Sequence, residues 1–118
     1  MKTTELTGLY LSYWVAKAEG REPERFDREG RGWIRCKDDF MPFDAEQWHV
    51  AGPIIGRLGI EFEDNGRTAV IDYDRDGVWV GRGDSHTIAA MRAYLLMRFG
   101  PDVPDLPPSP SEVRSGGT

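Results

Sequence analysis

The sequence predicts an α+β fold, with a three-stranded antiparallel meander packed against an amino-terminal and a carboxy-terminal helix. Three observations carry that expectation. Segments 4–20 and 84–100 repeat apolar residues at three- and four-residue steps. Between them, three short β-rich runs are separated by Asp-Asn-Gly and Asp-Gly, whose residues suit the positive φ angles of hairpin turns. Finally, 118 residues leave room for one hydrophobic core.

The first helix is expected over "TELTGLYLSYWVAKAEG", with Thr7 as N-cap, Leu6 and Leu11 as a hydrophobic staple, and Gly20 in the left-handed position past its end. Its predicted apolar stripe is Leu6, Tyr10, Tyr13, Trp14 and the stem of Lys17. "REPERFDREGR" mixes charges of both signs with proline and glycine, the composition of a solvated loop. "WIRC" at 33–36 alternates and is the option for a fourth short strand, followed by a loop rich in Asp, Phe and Pro through residue 44. Pro53 suits a first helical position, so a short helix is placed at 53–58.

The meander strands are expected at 60–63, 69–73 and 78–81. In the closing helix, Asp84 or Ser85 is the cap, Ile88, Met91, Leu95 and Phe99 are the buried side, and Gly100-Pro101 is the stop. Ala89 and Ala90 permit close approach to the sheet or to a second subunit. Residues 1–100 are thus read as one compact domain. From Pro101 to 118 the proline, serine and glycine content predicts a mostly disordered tail in which Val103 and Leu106 dock locally.

Charge narrows the function classes. Lys and Arg total 15 against 20 Asp and Glu, for a net charge of -5, which disfavours a broad basic face for duplex nucleic acid but allows a local basic pocket. Apolar runs fall well short of the ~20 residues that cross a bilayer, and the first residues lack a secretory layout, so the expectation is a cytoplasmic protein with no membrane partner. Cys36, the single cysteine, has neither a disulfide partner nor ligand spacing and reads as a small semi-buried side chain.

"DYDRDGVWVGRGDSHT" at 72–87 invites two chemical readings. Asp72, Asp74, Asp76 and Gly77 match the first half of an EF-hand loop, but the bidentate Glu at its twelfth position is Gly83 here, and strands rather than helices flank it. A hairpin turn is the better reading, and no metal is expected. The "GRGDSHT" part resembles an anion site, with Arg82 for charge and Ser85 and Thr87 for hydroxyls at a helix start. Against it, Asp84 is available to occupy the cap, and an ordinary self-capped helix explains the same residues.

Catalysis finds little support. His49 and His86 have no ligand at i, i+4, and neither a Walker loop nor G-x-G-x-x-G follows a strand, so no cofactor is expected. The chain is richer in rigid rings and guanidinium groups: Tyr10, Tyr13, Trp14, Trp33, Trp48 and Trp79 with Arg57, Arg82 and Arg92. Such rings stack on bases and such cations pair with phosphates. Trp14 and Trp79 are better assigned to the core, and Trp48, in a polar stretch, to the surface.

"LTGLYLSYWVAKAEG", "WHVAGPIIGR" and "AAMRAYLLMRFG", taken together and in order over residues 5–100, resemble the phage NinX-like family. The shared positions are Trp14 to Ala16, Trp48, Gly52 to Ile55, Arg57, Ala89, Ala90 and Arg92. The chain departs from the family where relatives carry Pro-Leu and it carries His86 and Thr87. The resemblance implies a phage accessory protein without an established reaction, and by analogy with nucleotide sponges it suggests sequestration of a nucleotide-derived signal. The resulting expectation is a homo-oligomer that binds such a molecule without turnover through Tyr13 and Trp48 as stacking surfaces, Arg57, Arg82 and Arg92 for phosphate, and Ser85 with Thr87 for polar contacts. The alternatives are a protein-binding module that inhibits a host enzyme and a phosphodiesterase-like enzyme using His49 or His86 with the Asp cluster.

Overall fold

The structure, a computed structural model, describes residues 1–37, 39–73 and 77–106, with Tyr73 described through its main chain alone. Thr3–Glu5 form one 3-10 turn, and α1 (Gly8–Ala18) follows. Thr7 takes the N-cap position with extended backbone, yet its hydroxyl makes no capping bond. The Glu46 carboxylate instead accepts from the Gly8 amide at 2.8 Å, placing negative charge at the helix start. The staple is present, since Leu6 and Leu11 are both buried.

The buried arc of α1 differs from the predicted stripe: Leu11, Ser12, Val15 and Ala16 are buried, while Tyr10 and Lys17 are exposed. The cause is tertiary. Helix α1 packs both on α3 (His86–Phe99) and on a hairpin, so its covered arc is wider than one stripe. Ser12 fits there because its hydroxyl accepts from the Ala45 amide at 2.9 Å.

That hairpin corrects the expected loop at 21–31. β1 (Pro23–Arg28) pairs antiparallel with β2 (Arg31–Cys36), so the fourth strand exists but lies in a separate two-stranded sheet. Glu29 and Gly30 both have positive φ, 53° and 79°, the requirement of a two-residue hairpin turn. The mixed charges conceal a one-sided strand. Arg25 and Asp27 pair at 3.1 Å, and the Phe26 and Trp33 rings stack across the strands at 5.7 Å.

α2 (Trp48–Leu58) begins five residues before the expected start, with Pro53 inside it. Proline removes a donor, here the one that would reach the His49 carbonyl. Both His49 and Pro53 are exposed, so water can solvate that acceptor. The apolar face of α2, with Ala51 and Ile54 buried, holds the helix against the core.

β3 (Glu61–Glu63), β4 (Thr68–Tyr73) and β5 (Gly77–Arg82) form the antiparallel meander in the order β3-β4-β5. Phe62 faces Ala69, and Ile71 faces Trp79. The chain turns between β3 and β4 through Asp64–Gly66, all with positive φ. The β4–β5 turn, with Asp74 and Asp76 of the calcium reading, lies outside the described residues. Its flanks are strands.

Helix α3 packs across the meander and against α1 and α2. A Cβ on Gly81 would sit 2.2 Å from the Ala89 carbonyl and 2.4 Å from the Ala93 amide, so β5 and α3 meet backbone to backbone. Ala89 is one of the alanines read as permitting this, and Ala93 is a second contact that the sequence reading did not single out. Phe99 is half out, edge-on to Trp14 at 5.5 Å.

Just past Gly100 the chain packs on the amino terminus. Val103 is buried, the Met1 ammonium donates to its carbonyl at 2.7 Å, and the Thr3 hydroxyl donates to the Gly100 carbonyl at 2.6 Å. Residues 107–118 of the expected tail lie outside the described residues. Among the described residues no helix is long and apolar enough to cross a membrane.

Candidate ligand-binding site

The seven residues expected to bind a ligand divide between two structural fates. Tyr13 is only 7% exposed and lies edge-on to Trp14 at 5.2 Å, so its ring packs the interior and offers no free face. Arg57, in the last turn of α2, donates twice to the Glu19 carboxylate, at 3.1 and 2.7 Å. The Tyr94 hydroxyl donates to the same carboxylate at 2.6 Å. These bonds tie the ends of α1 and α2 to α3.

The titration shifts follow from that geometry. The Arg57 hydrogen bond, aided by that of Tyr94, holds the Glu19 carboxyl below its ordinary value against the opposing effect of burial. Burial and then the bond to Glu19 push Tyr94 up to about 12. The bond to Glu19 also raises Arg57.

Arg92 is likewise engaged by the protein. Its Nε donates to the Leu6 carbonyl at 2.9 Å and its Nη1 to the Arg82 carbonyl at 2.6 Å. It therefore holds the chain before α1 and the end of β5 onto α3. Ser85 is the N-cap of α3, its Oγ accepting from the Ile88 amide at 3.2 Å and lying 3.2 Å from the Thr87 hydroxyl. Thr87 is buried. The self-capped helix thus accounts for both hydroxyls, and Asp84 leaves the cap to Ser85.

Trp48 and Arg82 remain exposed. Trp48, the first residue of α2, is 57% exposed, and its ring lies 6.4 Å from that of His86, the first residue of α3. The His86 ring in turn lies 5.0 Å from Phe62. His86 rests on Gly66, where a Cβ would meet the imidazole at 2.1 Å, so a glycine with positive φ lets the ring lie flat. Two helix starts therefore converge beside an exposed aromatic group. Gln47, the N-cap of α2, provides no side-chain cap, and its carbonyl already takes the Val50 amide at 3.1 Å, so the amides that a helix start offers to an outside acceptor are those of Trp48 and His49.

On the other flank of the α2 start runs a groove of about 780 Å³, within the size range of small-molecule sites. Phe40, Met41, Phe43, Val50 and Pro53 are among its apolar walls, with Arg21, Asp39, Asp44, Gln47 and His49 among its polar ones. Arg21 is paired with Asp39. Asp44 accepts from the Glu46 amide at 3.0 Å. None of the seven expected residues lines this groove. The available signal was the "DDFMPFD" run at 38–44, three large apolar residues in a stretch with neither helical nor strand periodicity, which the sequence reading passed over as loop.

Cys36 is buried, and desolvation raises its thiol. Trp14 is half-buried, as a core residue at the edge, with an indole N–H that finds no partner among the described residues. Among the described residues, no three His, Cys, Asp or Glu side chains gather as a metal set.

The family described as Bacteriophage P22, NinX matches residues 2–98. The chain belongs to that family. The match spans α1 through nearly all of α3, and with it Trp48, Arg57, Arg92 and the converging helix starts. Membership supports the reading as a phage accessory protein. No curated protein matches the chain.

Proposed function

We propose that this NinX-family protein captures a nucleotide-derived immune signal, an ADP-ribose derivative or a cyclic nucleotide, and withholds it from bacterial defence without turning it over. The observation that supports this most is the exposed Trp48 ring beside His86 at the converging starts of α2 and α3. A base stacks on the indole, and a phosphate lies against first-turn amides and the Arg82 guanidinium. Tyr13, Arg57 and Arg92 drop out of the contact set because the protein itself engages them. A second copy closing over Trp48 would complete the pocket, so the functional unit is a homo-oligomer acting in the cytoplasm of the infected cell.

Thermal denaturation against ADP-ribose and cyclic dinucleotides tests the reading. A bound compound at 100 times its dissociation constant stabilises the fold by ~2.7 kcal/mol, and Trp48→Ala weakens binding by ~1–3 kcal/mol. The compound should be recovered intact after heat denaturation, and native mass spectrometry should show more than one chain per complex. Recovery of a cleaved product would replace this reading with the phosphodiesterase-like enzyme. If no compound shifts the transition, or if Trp48→Ala binds as tightly as the parent, the nucleotide reading is wrong. A second reading, inhibition of a host enzyme by direct binding, is favoured by the uncovered Phe40 and Met41.

A further inference from the structure

We propose that the outer face of the β1–β2 hairpin binds single-stranded nucleic acid, with its two rings as a stacking platform and its three arginines on the phosphates. Side chains alternate along a strand and directly opposed residues share a face, so the register divides the hairpin in two. Arg25, Ile34 and Cys36 belong to the inner face: Ile34 and Cys36 are buried, and Arg25 lies over the Tyr10 ring of α1 at 5.9 Å. The outer face carries Glu24, Phe26 and Arg28 from β1 opposite Arg35, Trp33 and Arg31 from β2. Phe26 and Trp33 stack with their planes 16° apart, and the Arg35 guanidinium lies over Phe26 at 4.7 Å. Near-parallel rings and guanidinium planes are the surfaces on which unpaired bases stack.

The arginines of this face are uncommitted. Arg28, Arg31 and Arg35 are exposed, and among the described residues none of them makes an ion pair or a side-chain hydrogen bond. The neighbouring cations differ, since Arg21, Arg25 and Lys37 are paired with Asp39, Asp27 and Glu22. Arg28 and Arg31 face each other in register, and like charges directly opposite are destabilising. A polyanion laid across them relieves a repulsion that the fold leaves in place. Glu24 on this face and Glu29 in the turn are outnumbered by the three arginines, so the surface is locally cationic in a chain of net charge -5. A bilayer fits less well, because half-buried rings flanked by charge offer it little apolar area. A duplex keeps its bases stacked on one another and gains the phosphate contacts alone. The face shares no residue with the Trp48–His86 pair and stands whether or not a nucleotide signal binds there.

The test follows the fluorescence anisotropy of a labelled oligothymidylate of about 15 nucleotides with the full chain, as salt is raised from about 0.05 to 0.2 M. Three phosphate contacts give an expected slope of about -2 for the logarithm of the binding constant against that of salt. Trp33→Ala should weaken binding about tenfold. Because that ring also packs on Phe26, the deciding variant is Arg28→Gln with Arg31→Gln. It should bind more weakly and flatten the slope by about 1.4, while its melting temperature equals or exceeds that of the parent. A charge-matched control, Lys2→Gln with Arg67→Gln, removes two exposed cations elsewhere and should keep the slope of the parent. The proposal fails if the oligonucleotide does not bind at the lower salt, if the double arginine variant keeps the affinity and slope of the parent, or if the control loses as much. It fails equally if a duplex of the same length, polyphosphate or an anionic vesicle competes as well as the unlabelled single strand.

Discussion

The two ends of α2 carry similar functional promise in the sequence and behave in opposite ways. At its C-terminal end, Arg57 is bound by Glu19, which also receives Tyr94, and Gly59 closes the helix in the left-handed conformation. At its N-terminal end, the Gln47 side chain makes no cap, Trp48 is 57% exposed, and the groove with Phe40 and Met41 runs alongside. The difference teaches that a phosphate-pairing side chain near a carboxylate of its own fold is a structural pin. A ring with nothing to cover it is the better sign of a site.

The comparison breaks most visibly in the middle of the helix. Ile54 is buried between the two ends, so Ile54→Ala should cost about 2–5 kcal/mol in chemical denaturation and loosen both together. Loss confined to one end, seen by amide exchange, would show that the ends are held independently.

At the closed end, Glu19→Ala leaves the Tyr94 hydroxyl and Arg57 without their acceptor and should cost about 1–3 kcal/mol. Arg57 is 55% exposed on its side chain, so solvent screening keeps its share of that loss small. The pin also sets a pH window. The folded Glu19 carboxyl lies below its ordinary value, so its contribution is present above the unfolded carboxyl range and is lost as pH falls through the folded value. Tyr94 is raised from 10.0 to about 12, so its contribution is whole below pH 10 and disappears as pH rises towards about 12. Denaturation midpoints across pH should therefore drop at both extremes in the parent. In Glu19→Ala the acid-side drop attributable to this residue should be missing.

The smallest effect belongs to the open end. Trp48→Ala should change stability by no more than about 0.5 kcal/mol, as for surface substitutions away from packed features. A loss of several kcal/mol would place the indole in the structural framework, and the contrast between the ends would disappear.

Much of the fold was legible in local signals. Thr7, Leu6 and Leu11 marked the start of α1, the Asn-Gly and Asp-Gly steps marked the meander, and Ser85 marked α3. The hairpin at 23–36 was not, because its turn is Glu-Gly and its strands carry charges that read as solvated until Phe26 and Trp33 are seen to stack. The α2 start was missed for a similar reason. Pro53 suits a first helical position and drew the expected start to itself, whereas tertiary burial of Ala51 and Ile54 holds a helix that begins at Trp48 with the proline inside it. For the site, residue chemistry placed Trp48 at the surface, where it lies, and had no means of seeing that Tyr13, Arg57 and Arg92 are engaged by the protein itself.

Family membership, the α+β class, the meander and the cap of α3 are written in short runs of residues, because turns, local caps and periodic apolar faces act over a few positions of chain, whereas the start of α1 is capped from Glu46, 38 positions away. Which guanidinium is free and which ring is bare depends on partners up to 86 positions away, as with Arg92 and the Leu6 carbonyl. Such pairings depend on how the helices pack, and the same arginine is a pin or a ligand contact according to what lies across the fold from it.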